Sequence, residues 1–311
     1  MSLAGDGDAG GGSAAQQYPR PGHPRLPAKD VGRLLLRCDD RPGLVAAVST
    51  FLAHAGANII SLDQHSTEQT GGIFMQRTIF HLPGLTAARD ALERDFAGQV
   101  AGRFEMDFRL TEAARPKRVA IMASREDHCL LDLLWRNRRG ELDMSVVMVV
   151  SNHPDLAEQV RAFGVPFLHV RASHTIREEA EQRQLDLLRG NVDLVVLARY
   201  MQILTPQFLA EVGCPLINIH HSFLPAFIGA APYRRAKERG VKLIGATAHY
   251  VTENLDEGPI IEQDVVRVDH RHTVDDLRRL GADVERVVLS RAVLWHCEDR
   301  IIRFGNQTVV F

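Results

Sequence analysis

Pro215-Leu216-Ile217-Asn218-Ile219-His220 is a short apolar run with polar side chains set toward its far end. It reads as a buried strand. Side chains alternate along a strand, so Asn218 and His220 face one way and Ile219 the other. α/β enzymes build their sites at such strand ends. The chain continues as His221-Ser222-Phe223-Leu224-Pro225. Beyond a second apolar run at 243–251 comes Asn254-Leu255-Asp256-Glu257-Gly258-Pro259, where Gly258-Pro259 closes a turn carrying Asp256. Asn218, His220 and Asp256 together offer a hydrogen-bond donor, an acid and a base to one carbonyl group.

The same rhythm extends upstream. Short apolar strands are expected at 119–123, 144–150, 166–170, 193–197 and 216–219. Helical stretches at 130–138, 154–163 and 175–189 alternate with them, and a last helix of about 273–299 covers this part. Such alternation implies a doubly wound, mostly parallel sheet.

The N-terminal third reads differently. Residues 1–29 are rich in Gly, Ala, Ser and Pro and lack periodicity, the composition of a disordered leader. Arg33-Leu34-Leu35-Leu36-Arg37-Cys38 is a strand and Asp40-Arg41-Pro42-Gly43 a turn. Residues 44–54 form a helix with Val45, Val48, Leu52 and Ala53 on one stripe, ended by Gly56. Strands follow from Asn58 and over 73–82. A second helix, capped by Thr86, reaches about Gly102, and a fourth strand spans 105–110. The order β-α-β-β-α-β is ferredoxin-like. Three parts follow: 30–112, a linker at 113–117, and 118–311.

Composition narrows the function. The chain has 311 residues, 45% of them hydrophobic, and a formal net charge of −2. With no basic stripe, nucleic acid is not an expected partner. No apolar run reaches membrane-spanning length, and the N-terminus lacks the pattern of a signal peptide. Cys38, Cys129, Cys214 and Cys297 are widely spaced, as expected of reduced thiols in a cytoplasmic protein. No glycine-rich nucleotide loop, zinc-type spacing or serine-hydrolase elbow is present, so neither a metal nor a tightly bound cofactor is expected.

Taken singly, each residue also has a structural reading. Asn218 could satisfy backbone groups at a strand end, and Asp256 could be a turn former. Met201 could fill the core. His221 has two readings, narrowing a water site or packing beneath it.

The joint pattern is more specific. Asn218 to Phe227, Gly245-Ala246-Thr247-Ala248-His249-Tyr250-Val251 and Leu255-Asp256-Glu257-Gly258-Pro259-Ile260-Ile261 resemble the 10-formyltetrahydrofolate-dependent formyltransferases. The double histidine, Phe227-Ile228-Gly229-Ala230-Ala231-Pro232-Tyr233 and Leu197-Ala198-Arg199-Tyr200-Met201-Gln202-Ile203-Leu204 are most similar to the hydrolytic branch, the formyltetrahydrofolate deformylases. Asp40-Arg41-Pro42-Gly43-Leu44-Val45, Gly56-Ala57-Asn58-Ile59 and Asp63-Gln64-His65-Ser66 resemble an ACT domain.

The resemblance implies that Asn218, His220 and Asp256 are the catalytic trio. It implies hydrolysis of 10-formyltetrahydrofolate to tetrahydrofolate and formate, in purine synthesis and one-carbon balance. Leu197, Met201, Gln202, Ile203, Leu204, His221, Ser222, Thr252, Glu253 and Asn254 fall where the folate is held. The ACT-like part has two readings. Asp40, Arg41, Pro42, Gly43, Asn58 and Ile59 would take a small amino-acid effector at an interface between two such domains, or the part would only build a homo-oligomer, a dimer or tetramer. Glycinamide ribonucleotide transferases of this family carry a Ser/Gly-rich phosphate loop after the first strand. Here that place reads Ala123-Ser124-Arg125-Glu126-Asp127-His128, whose backbone lacks the glycines to curl around a phosphate. Water is then the expected nucleophile. The rivals are a formyltransferase to an amine and an ACT-based amino-acid sensor with a non-catalytic folate-binding domain.

Overall fold

The computed structural model describes residues 28–172, 176–225 and 232–311. The expected leader lies outside the described residues up to 27. So do Thr175, where a helix was expected to begin, and the motif residues 226–231.

The first sheet is built from β1 (Val31–Asp39), β2 (Asn58–Ser66), β3 (Ile73–His81) and β4 (Asp107–Glu112), in the order β2-β3-β1-β4. All three pairings are antiparallel. Helices α1 (Leu44–His54) and α2 (Leu85–Phe96) cover one face. In α1, Leu44, Val48, Phe51 and Leu52 are buried, the spacing of one helical stripe. They pack with Leu34, Leu36, Phe80, Leu92 and Phe96. Gly56, at φ 79°, turns the chain out of α1 in a conformation that costs other residues more.

Thr86 is not the cap of α2. Gly84 holds that position with φ 76°, and Thr86 Oγ1 instead donates to the buried Glu112 at 2.6 Å. The helix also changes register before Gly102. After Phe96 it widens into a π-helical turn, Ala97–Ala101, then α3 (Gly102–Phe104), which leaves Val100, Ala101 and Phe104 buried. Glu105 then takes φ 56°, so β4 starts at Asp107, two residues later than expected.

The second sheet holds β5 (Lys117–Ala123), β6 (Met144–Ser151), β7 (Phe167–His169), β8 (Leu194–Ala198), β9 (Leu216–His220), β10 (Leu243–Tyr250) and β11 (Ile260–Arg267). Its order is β11-β10-β9-β8-β5-β6-β7. β5 to β9 run parallel. β10 is antiparallel to both β9 and β11. α4 (His128–Arg138), α5 (Ala157–Ala162) and α9 (Val274–Cys297) pack on one face. α6 (Arg177–Leu188) and α7 (Pro206–Glu211) pack on the other. α8 (Pro232–Arg239) leans on α9. Strand order reverses between β5 and β8, and the crevice at such a switch point is where α/β sheets bind ligands. There Met201 N–H donates to Ser124 Oγ at 2.9 Å, tying the loop after β8 to the loop after β5.

Thr273 caps α9 in a reciprocal box with Asp276. After α9 the chain forms a hairpin absent from the sequence reading, β12 (Ile301–Phe304) with β13 (Gln307–Val310). Ile302 packs with Leu35 and Met75, so this hairpin covers part of the uncovered face of the first sheet. No helix among the described residues is long and apolar enough to cross a membrane. The four cysteines are free thiols. Burial pushes Cys214 up to about 11 and Cys297 up to about 12.

Candidate active site

A cavity of about 360 Å³ opens beside the C-terminal ends of β8 and β9. It is lined by Leu197 on β8 and Met201, Gln202, Ile203 and Leu204 after it, by Asn218, His220 and His221 on and after β9, and by Thr252, Glu253, Asn254 and Asp256 after β10. Of the expected site, only Ser222 is not among its lining. Ser222 is buried, and its carbonyl accepts a hydrogen bond from Thr247 Oγ1 at 2.9 Å. Met201 and Ile203 are 57% and 55% exposed, so Met201 is a wall of the cavity and not a core residue.

Asp256 reaches the cavity through an unusual backbone. Its φ is 57°, a left-handed conformation that Asp tolerates better than most residues. Two residues on, a Cβ on Gly258 would lie 1.8 Å from the Tyr250 carbonyl oxygen, so only glycine lets this loop close on β10.

The trio meets. His220 Nδ1 lies 3.3 Å from Asp256 Oδ2. Asn218 is brought in through a residue to which the sequence reading gave no role: its Nδ2 lies 3.3 Å from Nε2 of His249, which is 3.6 Å from Asp256 Oδ1. The pairing of β9 with β10 sets His249 opposite Asn218. His249 Nδ1 donates to the Tyr250 carbonyl at 3.0 Å. Neutral His249 therefore accepts at Nε2 from Asn218, whereas its imidazolium would donate to Asp256. The hydrogen bond from His220, reinforced by His249 where that ring is charged, holds the Asp256 carboxyl well below the usual carboxylate range. His220 Nε2 is buried and, among the described residues, has no hydrogen-bond partner.

The ring of His221 stacks on His220, with centroids 5.0 Å apart and planes 18° apart. Arg199 Nη1 is 2.6 Å from His221 Nδ1. Behind Arg199 stands Glu285 of α9, 3.5 Å from Arg199 Nε. Its carboxylate also meets His128 Nε2 at 2.8 Å and accepts from Tyr233 Oη at 2.9 Å. Glu285 had a legible signal, since it is a charge set between Gly281 and Leu289 in the apolar stripe of α9. His128, Cys129 and Glu285 offer ligand atoms within 4.8 Å of one another. The Glu285 oxygens are already engaged by protein donors, and burial pushes the Cys129 thiol well up, so an ion there would have to displace both.

A second cavity, of about 560 Å³, is lined by Asp40, Arg41 and Gly43 with Gln64, His65 and Ser66. Ser66 Oγ hydrogen-bonds Asp40. Pro42, Asn58 and Ile59 are not among its lining. Asn58 pairs with His81 and Ser66 with Phe74, so the two groups of expected effector residues stand at opposite ends of β2 within one chain.

Comparison with known proteins agrees with both parts. The formyl transferase family model matches residues 117–293 and the ACT domain model residues 32–96. Formyltetrahydrofolate deformylase of Mycobacterium tuberculosis is 78% identical over 294 residues, covering 94% of this chain and 95% of the relative. That of Bacillus subtilis is 52% identical, covering 91% and 94%. The crystal structure of a formyltetrahydrofolate deformylase from Pseudomonas syringae superposes with a TM-score of 0.86 at 48% identity, covering 90% of this chain and 94% of that one. Alike in both parts and along nearly its whole length, the chain belongs to the formyltetrahydrofolate deformylase family.

Proposed function

We propose that this chain hydrolyses 10-formyltetrahydrofolate to tetrahydrofolate and formate, with Asn218, His220 and Asp256 as the reacting groups. The observation that carries the assignment is the buried, unpartnered His220 Nε2, set at the cavity while Nδ1 faces Asp256. The exposed apolar side chains of Met201 and Ile203, with Leu204 and the 252–254 loop, are suited to the pterin and its linker.

The chemistry follows from the charges. Asp256, ionised at neutral pH, orients a water and takes its proton as the water oxygen bonds to the formyl carbon. The oxyanion that forms is stabilised by His220 Nε2–H and by an N–H of the Asn218 amide, which has two donors. The carbon–nitrogen bond then breaks as His220 delivers a proton to the departing nitrogen. Formate and tetrahydrofolate leave. The loop after β5 supports water over a phosphorylated amine as acceptor, because His128 is tied to Glu285 and no glycine is available to cradle a phosphate.

We also assign the Asp40–Ser66 cavity to a small amino-acid effector, in a cytoplasmic homo-oligomer that supplies formate to purine synthesis and balances one-carbon units. The test of the main reading is formate release from 10-formyltetrahydrofolate with no amine present. Wild type should turn over, and Asp256→Asn should bind folate without releasing formate. A folded, folate-binding wild type that releases none would sink the assignment.

A further inference from the structure

The pair Arg199–His221 is built with more care than a cavity wall requires. Arg199 takes φ 62° at the end of β8, a strained conformation for a residue with a side chain. It is largely buried, and so is the carboxylate of Glu285 that faces it. Glu285 is fixed in turn by His128 from α4 and Tyr233 from α8. A guanidinium can only donate hydrogen bonds, so His221 Nδ1 is an acceptor and the proton of the neutral ring sits on Nε2.

We propose that Arg199 is a positioning residue: braced by Glu285, it keeps His221 neutral against His220, so that the stacked imidazole pair takes up its catalytic proton on His220 alone. This rests on the hydrolase reading above. A proton on His221 Nδ1 would point into a cation 2.6 Å away. The groups that face His221 are Arg199 on the β8 end, His220 beside it, Tyr233 on α8, Glu285 on α9 and Asp256 on the loop after β10. The two carboxylates pull the other way but by less. Burial, then Arg199, then His220 push His221 down to about 4.

The consequence is chemical. Two stacked imidazoles that could both ionise would share their titration, and a cation on His221 would oppose one on His220. Silencing His221 leaves it a neutral N–H donor at the cavity and leaves His220 as the ring that pairs with Asp256.

The test combines a readout that needs no turnover with one that does. Imidazole NMR of the wild type, with the His221 signal identified through His221→Asn, is expected to show His221 neutral down to about pH 5. In Arg199→Met its titration should move up, staying short of the ordinary value because burial and His220 still act on it. In that variant kcat/KM for formate release should then gain an acid limb at a higher pH than any in the wild type. The Arg199→Lys variant should restore the wild-type profile in part, and Arg199→Met with His221→Asn should abolish the new limb. A wild-type His221 that titrates near about 6.5 overturns the proposal with no variant needed. A folded Arg199→Met with His221 unmoved, or with an unchanged pH profile, overturns it also. Absence of formate release from the wild type would instead defeat the hydrolase reading and leave the NMR result standing.

Discussion

Lys117 Nζ lies 2.7 Å from Asp299 Oδ1, joining the first residue of β5 to the turn that ends α9. Arg109 reaches the same oxygen at 3.1 Å, Arg33 the other at 3.4 Å, and Thr111 donates to Asp299 at 2.8 Å. Arg77 donates to the Asp299 carbonyl. One carboxylate, 1% exposed, therefore ties the first sheet to the second. Burial raises its pKa, but Lys117 and Arg109 outweigh that and hold it below the usual range. Replacing it by Asn leaves its cations without a counter-charge, and such a loss typically costs about 3–5 kcal/mol. Arg109 is half exposed, which argues for the lower end. Urea denaturation of Asp299→Asn at pH 7 should show a fall of about 3 kcal/mol. A depressed carboxylate pKa contributes stability above its unfolded value of about 3.9, which is lost as pH falls through the folded value. The difference between wild type and variant should therefore shrink below about pH 4. Equal midpoints at pH 7 would show that the Asp299 carboxylate is not what holds the sheets together.

Asp256 is expected to act in chemistry and not in binding. Asp256→Asn keeps the shape of the side chain but removes the charge that two imidazoles have stabilised. Loss of a positioned base typically costs about 10²–10⁴ in rate. Steady-state kinetics should place that loss in kcat, with KM within about threefold of wild type. Because the carboxyl is held low, Asp256 stays ionised at mildly acid pH, so its protonation should set no acid limb of activity near pH 5–6. A loss confined to KM would make Asp256 a binding residue.

Gly258→Ala tests the loop geometry without touching a reacting group. The added Cβ would lie 1.8 Å from the Tyr250 carbonyl oxygen and 3.2 Å from Thr252 Cγ2. The first contact is backbone and cannot rotate away, so the loop must move. Overpacking of this kind costs about 1–3 kcal/mol. Thermal unfolding should register that loss, and kcat should fall as well because Asp256 is two residues away. A variant with wild-type kcat would show that the loop is not needed to place the carboxylate.

Much of this was legible in the chain because period and punctuation are local properties. Of the expected stripe Val45, Val48, Leu52 and Ala53, only Val48 and Leu52 are fully buried, with Leu44 and Phe51 completing the face, and the glycine at 56 ends α1 as expected. The alternation in 215–220 put Asn218 and His220 on one side, and the turn at Gly258 put a carboxylate within reach. What was missed depends on distant pairing. His249 gains its role only because β10 runs antiparallel to β9 and sets it opposite Asn218. Thr86 looked like a cap because side-chain chemistry suggested one, whereas Gly84 with a left-handed backbone took the position and Glu112 claimed the hydroxyl. The C-terminal hairpin is short, and only the apolar face of β1 and β3 explains why Ile302 is buried.

Met201 and Ile203 offer the cleanest separation of binding from folding. Both are more than half exposed and both line the cavity, so neither is held by the core. Changing exposed side chains usually moves stability by no more than about 0.5 kcal/mol. If these two cover the apolar part of a folate, Met201→Ser and Ile203→Ser should each remove part of a contact worth about 1.5–3 kcal/mol when fully buried. Half of that range corresponds to about a fourfold to twelvefold rise in KM, since tenfold is about 1.4 kcal/mol. Thermal midpoints and kcat should stay near wild type, because both side chains are more than half exposed and neither is a reacting group. A rise in KM at unchanged kcat would place the pterin against this wall. Unchanged KM in both variants would instead send the folate to the lining from Thr252 to Asn254, where Thr252 Oγ1 donates to the Asn254 carbonyl at 3.2 Å.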